Sequence, residues 1–476
     1  MSNYYSQLSM ADIFTDCQDM FLSGKPLFFS LLEEYIDFSE FIPTNFYTAF
    51  YQSLGRKRDY PLNGFIASLI FQKVCSIPTD SLLIILLNLC KELRDFCGFS
   101  KVPDASKFTR FKQDFAPYLE AMFHSLVDYT EPICQSIDAN LAATIAFDTS
   151  GIEAYVTENN PKFINSLIQR LKTQYKNNKD VNPYNMAYGL MPSSASSDSS
   201  VKQMHINGHF CYVHKFGIIT NALGIVRHVT FLDEAFKDKH PELIIEKKSD
   251  SPDEDKSIGD SSALQPVLLD YIALHPNFNC HTFLGDSAFD KFDHYTFLKT
   301  TCGFKRALIP INSRNSSTLP EVGYNEYGYP LCPDDPNLVM KRCGITGGNG
   351  RSPRVKWICP KTKMIKGNYI CSCENPCSDA IKGRTTYTYD NQDFRMFPGM
   401  ERGTPEWDDL YKKRCVVERT INHLKTNMCI ADRKTRNLAS TKADLFLACI
   451  ASLFTVILSD RLKKPEYIRS MKPLIA

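Results

Sequence analysis

The sequence lacks an excess of charge of either sign: 55 basic residues stand against 53 acidic ones, a net of +2. A chain coated in positive charge is excluded, although a local basic groove is not, because net charge averages over faces. It also lacks an apolar run long enough to span a bilayer. The longest, Leu445 to Ser459, is bounded by Asp444 and Asp460. It falls short of the ~20 residues a membrane helix needs, so a buried core helix and no membrane partner are predicted. The opening MSNYYSQLSMADIFTDC has neither a basic n-region nor an apolar h-region, so no export signal is expected. There is no Walker loop, no dinucleotide-binding glycine motif and no internal repeat. The one pair of histidines four apart, His205 and His209, falls on a predicted loop and strand, which excludes a metalloprotease helix.

What is present is ordinary globular composition. Of 476 residues, 43% are hydrophobic and 12% aromatic, enough to build a large core and to exclude whole-chain disorder. The length leaves room for about three domains. The 17 cysteines, without an export route, predict a reducing cytosol with thiols buried or metal-bound.

The first 135 residues read as helical. Apolar residues recur at helical spacing in Leu27–Tyr35, Phe46–Leu54, Leu62–Cys75 and Leu82–Leu93. Pro61 and Pro78 mark helix starts, Gly98 a stop, and Asp104 or Ser106 can cap a further helix. Short helices joined by tight turns fit either a helix-turn-helix that enters a DNA groove or a plain helical bundle. Lys107, Arg110 and Lys112 are the candidate phosphate contacts. Near residue 140 the pattern changes. Leu141–Phe147 is a continuous apolar run ending at Asp148, as in a strand buried on both faces. Residues 158–208 are polar and predict a mobile insertion. Strands follow at His209–Thr220 and Gly224–Leu232, then a charged loop over 233–260. Next come a helix at Leu264–Leu274, a strand at His281–Leu284, a helix at Phe292–Thr300 and a strand at Lys305–Pro310. That order implies an α/β domain with a mixed sheet and helical crossovers. The expected division is a helical DNA-binding domain over 1–135, a catalytic core over 136–318, a Cys-rich insertion over 319–400, and the core's C-terminal helices over 401–476.

Asp148 and Asp286 each end a buried apolar strand, the edge where open α/β sheets build sites. Two carboxylates there make an oxygen-rich site suited to a hard cation such as Mg2+. Asp290 and Asp293 are read as caps of the next helix. On a helix near 411, Tyr411, Arg414, Glu418 and Lys425 share an arc about 60° wide at ~100° per residue. Leu410, Val417, Ile421, Leu424 and Met428 fall directly beside them. A third carboxylate with cationic and phenolic neighbours suits phosphodiester chemistry assisted by divalent ions, the other groups holding adjacent phosphates.

The spacing Tyr411-x2-Arg414-x3-Glu418-x6-Lys425 matches without a gap the Y-(2)-R-(3)-E-(6)-K motif of bacterial insertion-sequence DDE transposases. Phe147-Asp148-Thr149-Ser150-Gly151 resembles that family's first-aspartate motif, and Gly285-Asp286-Ser287-Ala288-Phe289-Asp290 its second. Ile309–Arg314 resembles the strand and loop that follow, and Pro103–Ser106 with Arg110-Phe111 the N-terminal helical domain. The resemblance implies a ribonuclease-H-like catalytic fold and an Asp148–Asp286–Glu418 triad binding Mg2+ or Mn2+. It also implies cutting at transposon ends and joining to target DNA. Double-stranded DNA, a homodimeric assembly that unites two ends, and a nucleoid-associated place in the bacterial cytoplasm follow from it. A metal-dependent nuclease without strand transfer and a non-catalytic host-adopted DNA-binding protein are the alternatives.

Six cysteines crowd between Cys332 and Cys377. Such clustering in a reducing compartment favours a structural Zn2+ held by four thiolates, here Cys332, Cys359, Cys371 and Cys377, although the C-x2-C knuckle is missing.

Overall fold

The structure, a computed structural model, describes residues 27–52, 57–176, 178, 180–206, 209–243, 258–312, 323–325, 327–348, 350–389, 394–395, 398–432 and 437–474. Half of the expected charged loop (244–257) and Ser313–Arg314 of the fourth motif lie outside the described residues; of the rest, Glu234–Lys239 is a helix. The chain divides into two units. One comprises residues 1–133, 152–156 and 422–476, the other 134–151 and 157–421.

The first unit is helical: α1 (Leu27–Tyr35), α2 (Thr44–Phe50), α3 (Leu62–Val74), α4 (Asp80–Leu89), α5 (Lys91–Phe96) and α6 (Ala105–Ile137). The start signals act as expected. Pro61 precedes α3, and the Thr79 hydroxyl accepts from the Leu82 N–H at the head of α4. Gly98 (φ 67°) ends the turn after α5. Asp104 accepts from the Lys107 N–H at the head of α6. The last is not a short recognition helix but runs 33 residues, with Pro117 and Pro132 inside it.

The C-terminal helix Leu438–Arg461 is long and apolar enough to cross a membrane by length and composition, yet 94% of its most apolar window is buried within the protein. It packs with the N-terminal helices of its own unit. Phe454 meets Phe38 and Phe41 at ring centroid distances of 4.9 and 5.3 Å, and Phe446 meets Phe123 at 5.8 Å. A helix apolar on every side must be covered on every side, and the phenylalanine-rich N-terminal helices supply that cover. Its Asp444 is buried between Lys112 (3.0 Å) and Lys73 (3.4 Å), and Lys112 also grips Asp80 at 2.7 Å. Lys112 is therefore a structural cation. It is 2% exposed, which corrects its expected role as a phosphate contact.

The second unit is built on a seven-stranded sheet. Its strands are β1 (Thr144–Glu153), β2 (Ser194–Ala195), β3 (Asp198–Ile206), β4 (His209–Asn221), β5 (Val226–Phe231), β6 (Thr282–Leu284) and β7 (Arg306–Leu308). The order is β2-β3-β4-β1-β6-β7, with β5 pairing β4. β4 and β5 are antiparallel, whereas β1, β6 and β7 run parallel. This mixed α/β sheet, with β1 between a hairpin and two crossover strands, is compatible with the ribonuclease-H-like expectation. The helix Asp260–Leu274 packs Leu264, Val267 and Leu268 against Ile145, Phe147 and Phe283 of the central strands.

Residues 158–208, expected to be a mobile loop, are instead structured. They hold helices Pro161–Gln174 and Pro183–Gly189 and the strands β2 and β3. Ile164, Leu167, Ile168 and Leu171 form an apolar stripe packed on Ala187, a helical signal diluted by polar neighbours. The Cys-rich insertion forms the sheet β12-β9-β8 from β8 (Lys341–Gly348), β9 (Arg351–Ile358) and β12 (Thr385–Tyr389). A separate hairpin pairs β10 (Thr362–Ile365) with β11 (Asn368–Cys371).

Asp290 is not the cap expected of it. The following helix starts after Lys291, without a side-chain cap bond. Asp290 is fully buried and takes two bonds, at 2.7 and 2.5 Å, from Arg395 in the last part of the insertion. It also accepts from the Tyr295 hydroxyl (3.0 Å) and the Asn312 N–H (2.6 Å). Removing one partner of a buried, hydrogen-bonded ion pair leaves an uncompensated charge. Asp290→Ala is therefore expected to cost about 3–5 kcal/mol in urea unfolding. A loss below about 1 kcal/mol, the range of an exposed pair, would contradict the role given to Asp290.

Candidate active site

Two parallel strands bring the first two acids together. β1 and β6 pair Thr144 with Thr282, Ile145 with Phe283 and Ala146 with Leu284. The ladder ends at that pair. Asp286 lies two residues beyond the end of β6, whereas Asp148 lies inside β1, which runs on to Glu153, so it does not end its strand as expected; the two carboxylates are within electrostatic reach of each other. Gly285 is required just before the second acid. A Cβ there would come within 2.9 Å of the Phe283 ring and 3.1 Å of the Phe289 ring. Each aspartate gives one oxygen to a nearby backbone N–H: Thr149 to Asp148 (2.8 Å) and Ala288 to Asp286 (2.9 Å).

Glu418 arrives on the C-terminal segment. That segment is not the uniform helix assumed for the arc. Helix Pro405–Tyr411 passes through a 3-10 turn, Lys412–Arg414, into helix Cys415–Asn422, and a π-helical turn follows over His423–Asn427. Such interruptions re-aim side chains within a helix and often mark functional segments. Val416, Val417, Thr420 and Ile421 are buried while Glu418 is half exposed, so the boundary between apolar stripe and polar stripe survives the change of winding.

Arg414 is the shared counter-charge of the cluster. It donates to Glu418 at 2.7 Å. It also opposes the upward push on both aspartates. Burial raises the Asp148 carboxyl to about 6, helped by the negative charge of Asp286 and Glu418 and resisted by the Thr149 N–H and by Arg414. Burial likewise raises Asp286, with Asp260 and Glu418 adding to the push. The Tyr411 phenol is raised by burial too, while Arg414 resists and Asp286 and Glu418 contribute. Asp148, Asp286, Glu418, Arg414 and Tyr411 thus lie within one electrostatic neighbourhood of the second unit. Lys425, the last motif residue, sits on the π-helical turn, which belongs to the first unit.

Sequence reasoning passed over Asp260, which it assigned to the charged loop. Asp260 opens the helix Asp260–Leu274, accepts from the Thr149 hydroxyl at 2.6 Å and pairs with Lys215 at 2.5 Å. It thereby braces the residue next to Asp148 and adds a fourth negative charge. Its one local signal is an acidic residue after glycine at a helix start.

The remaining site residues sort as follows. On the first turns of α6, Arg110 is exposed and Lys107 half-buried, apart from the buried Lys112. Of the four cysteines expected to bind zinc, Cys359 and Cys371 are drawn together with Cys373 rather than with Cys332, their sulfurs all within 4.8 Å of one another.

Two protein-family models match the chain. A Transposase domain (DUF772) covers residues 16–114, and a Transposase DDE domain covers residues 253–454. The second match takes in Asp286 and Glu418 and begins after Asp148. A search of curated proteins finds no significant match. With acids on and just beyond adjacent parallel strands and a DDE-domain match, the chain is an enzyme of the polynucleotidyl transferase and endonuclease type. It belongs to the insertion-sequence DDE transposases.

The raised Asp148 carboxyl has a measurable sign. Folded Asp148 holds its proton up to about pH 6, against an ordinary value of 3.8, so ionising it burdens the folded state at pH 7 and not below pH ~4. In chelator-treated protein, Asp148→Asn is expected to raise the Tm at pH 7 by about 2–4 °C. The gain should vanish at pH ~4. An equal difference at both pH values in thermal scans would refute the assignment.

Proposed function

We propose that this transposase cuts DNA at the ends of its own element and joins them to target DNA, with Asp148, Asp286 and Glu418 as its catalytic residues. The observation that carries the reading is the meeting of Asp148 on β1 and Asp286 just after β6 with the Arg414–Glu418 pair on one α/β unit. Three mutually repelling carboxylates with one arginine between them form a hard-oxygen donor set short of positive charge, which fits a divalent cation. Bound by those acids, Mg2+ or Mn2+ supplies Lewis-acid activation of the attacking and leaving oxygens.

The chain's own residues do the rest. Asp148 and Asp286 keep one oxygen on a backbone N–H and turn the other toward the site. Glu418 joins them by leaving Arg414, and the freed guanidinium takes a non-bridging phosphate oxygen bidentately. The Tyr411 hydroxyl, with its raised pKa, stays protonated and donates to a phosphate. Lys425 contributes a backbone contact. In the first unit, Lys57, Arg58, Lys107 and Arg110 line a groove of about 700 Å³ with Tyr51 and Tyr60. That cation and aromatic mixture suits a double-stranded DNA end gripped chiefly through its phosphates. A homodimer, one protomer per element end, acting on nucleoid DNA in the bacterial cytoplasm completes the reading.

Glu418→Gln is expected to abolish strand cleavage of a labelled element end while leaving its binding intact. Retained cleavage removes Glu418 from the chemistry. Product analysis with wild-type protein separates transposition from plain hydrolysis, since only the former yields donor ends joined to target. Lys107→Ala should weaken end binding on all sequences alike and lower the slope of log K against log salt by about 1. An unchanged slope would remove Lys107 from the interface.

A further inference from the structure

The insertion contains a segment that its apolar contacts do not explain. From Lys361 to Lys382 only Thr362 is buried, and Met364, Ile365, Tyr369 and Ile381 stand exposed. The β10–β11 hairpin has four-residue strands and forms a two-stranded sheet by itself. A lone hairpin of that size is marginal in water, and small modules without a core depend on a staple.

The thiols lie where a staple would act. Cys359 follows β9, and the Thr362 N–H bonds back to its carbonyl at 3.0 Å, closing a tight turn into the hairpin. Register then sets Cys371 opposite Thr362, at the hairpin's base. Cys373 is two residues on. The three sulfurs lie within 4.8 Å of one another, and none is in a disulfide. Thiolates bound to one Zn2+ at ~2.3 Å need only small adjustments from such spacing. The return strand is pressed onto the same group. The Cys359 N–H donates to Arg384 and the Cys371 N–H to Ile381, at 2.9 and 2.8 Å. Between them Gly383 (φ 72°) passes so close that a Cβ would fall 3.0 Å from the Cys359 Cβ and 3.2 Å from the Cys371 sulfur. Cys377 is within electrostatic reach of Cys359 and of Cys332.

We propose that Cys359, Cys371, Cys373 and Cys377 hold a structural Zn2+ that pins the β10–β11 hairpin to the β12-β9-β8 sheet. The ion replaces a core in this module and takes no part in DNA cleavage. Binding forms four sulfur–zinc bonds and releases to solvent the protons of those thiols that were protonated, with no redox change.

The test is elemental analysis of the full chain purified under reducing conditions. One zinc per chain is expected, retained by Asp148→Asn, which excludes the carboxylate site as its holder. Cobalt exchange should give the thiolate-to-metal charge-transfer absorption and the intense d–d bands of a tetrahedral sulfur site. Cys371→Ser and Cys373→Ser should each lower zinc affinity at least tenfold, whereas Cys343→Ser, outside the cluster, should not. If those variants fail to fold, wild-type protein serves: mercurial release of zinc into a colorimetric indicator should parallel exposure of four thiols, and Lys363 and Lys366 should then be cut faster by trypsin. Metal-free protein with every thiol titratable overturns the proposal. So does metal-free protein with two thiols missing, which means a disulfide. Zinc lost in Cys332→Ser but kept in Cys377→Ser overturns the choice of the fourth ligand.

Discussion

The buried pair of Asp290 and Arg395 is the constraint on which the catalytic unit depends. Asp290 lies four residues after Asp286, and Arg395 lies 105 positions further on, near the end of the insertion. Around that carboxylate meet the turn after β6, the Asn312 N–H beyond β7, and the returning chain. Arg402 extends the clamp, donating to the carbonyls of Ile309 and Arg395 and to the Tyr295 hydroxyl. The returning backbone is laid along β7 as well. The Ala307 N–H donates to Pro398, and Gly399 (φ 83°) passes so close that a Cβ would sit 2.0 Å from the Lys305 carbonyl. Buried charges are tolerable only when fully paired and hydrogen-bonded, so this knot has one good arrangement. It launches the Glu418 segment from a fixed point however long the insertion is.

That fixed point gives the acidic cluster its character. Burial and mutual repulsion make the two aspartates reluctant to ionise, and Arg414 is the cation that answers them. In the proposed reading, a site held short of positive charge is preorganised for a divalent cation, because its desolvation is met during folding rather than during reaction. Asp260, Thr149 and Lys215 form a brace on the other side of Asp148. Their contribution is orientation, which a network of side chains can fix only if each member is itself held.

Charge is used differently in the helical unit. Lys73 and Lys112 converge on Asp444, with Asp80 completing the set. These cations sit inside the protein to match a carboxylate of the C-terminal helix, while Arg110 is exposed and Lys107 only half-buried. Positions two and five residues apart on one helix thus belong to separate tasks, decided by which face meets the C-terminal helix.

Much of the fold and the candidate site was legible from local pattern. Apolar runs before aspartates marked where β1 and β6 lie, since a strand buried on both faces needs apolar residues at every position; the bounds of β1 escaped that signal, because Leu141 and Ala142 close a short helix and the strand runs through Asp148 to Glu153. Proline, threonine and glycine marked helix ends, because their effects on the backbone are local. The spacing of Tyr411, Arg414 and Glu418 reflects helical geometry, which a single 3-10 turn perturbs without erasing. Only the tertiary structure decided that Asp290 is a buried ion-pair partner and no cap, that Lys112 is internal, that the last helix joins the first ones, and that Cys373 stands beside Cys359 and Cys371. Each of these turns on a partner far away in the chain. The environment that sets what a charge or a thiol does is made by packing, and packing is not written in the neighbours along the sequence.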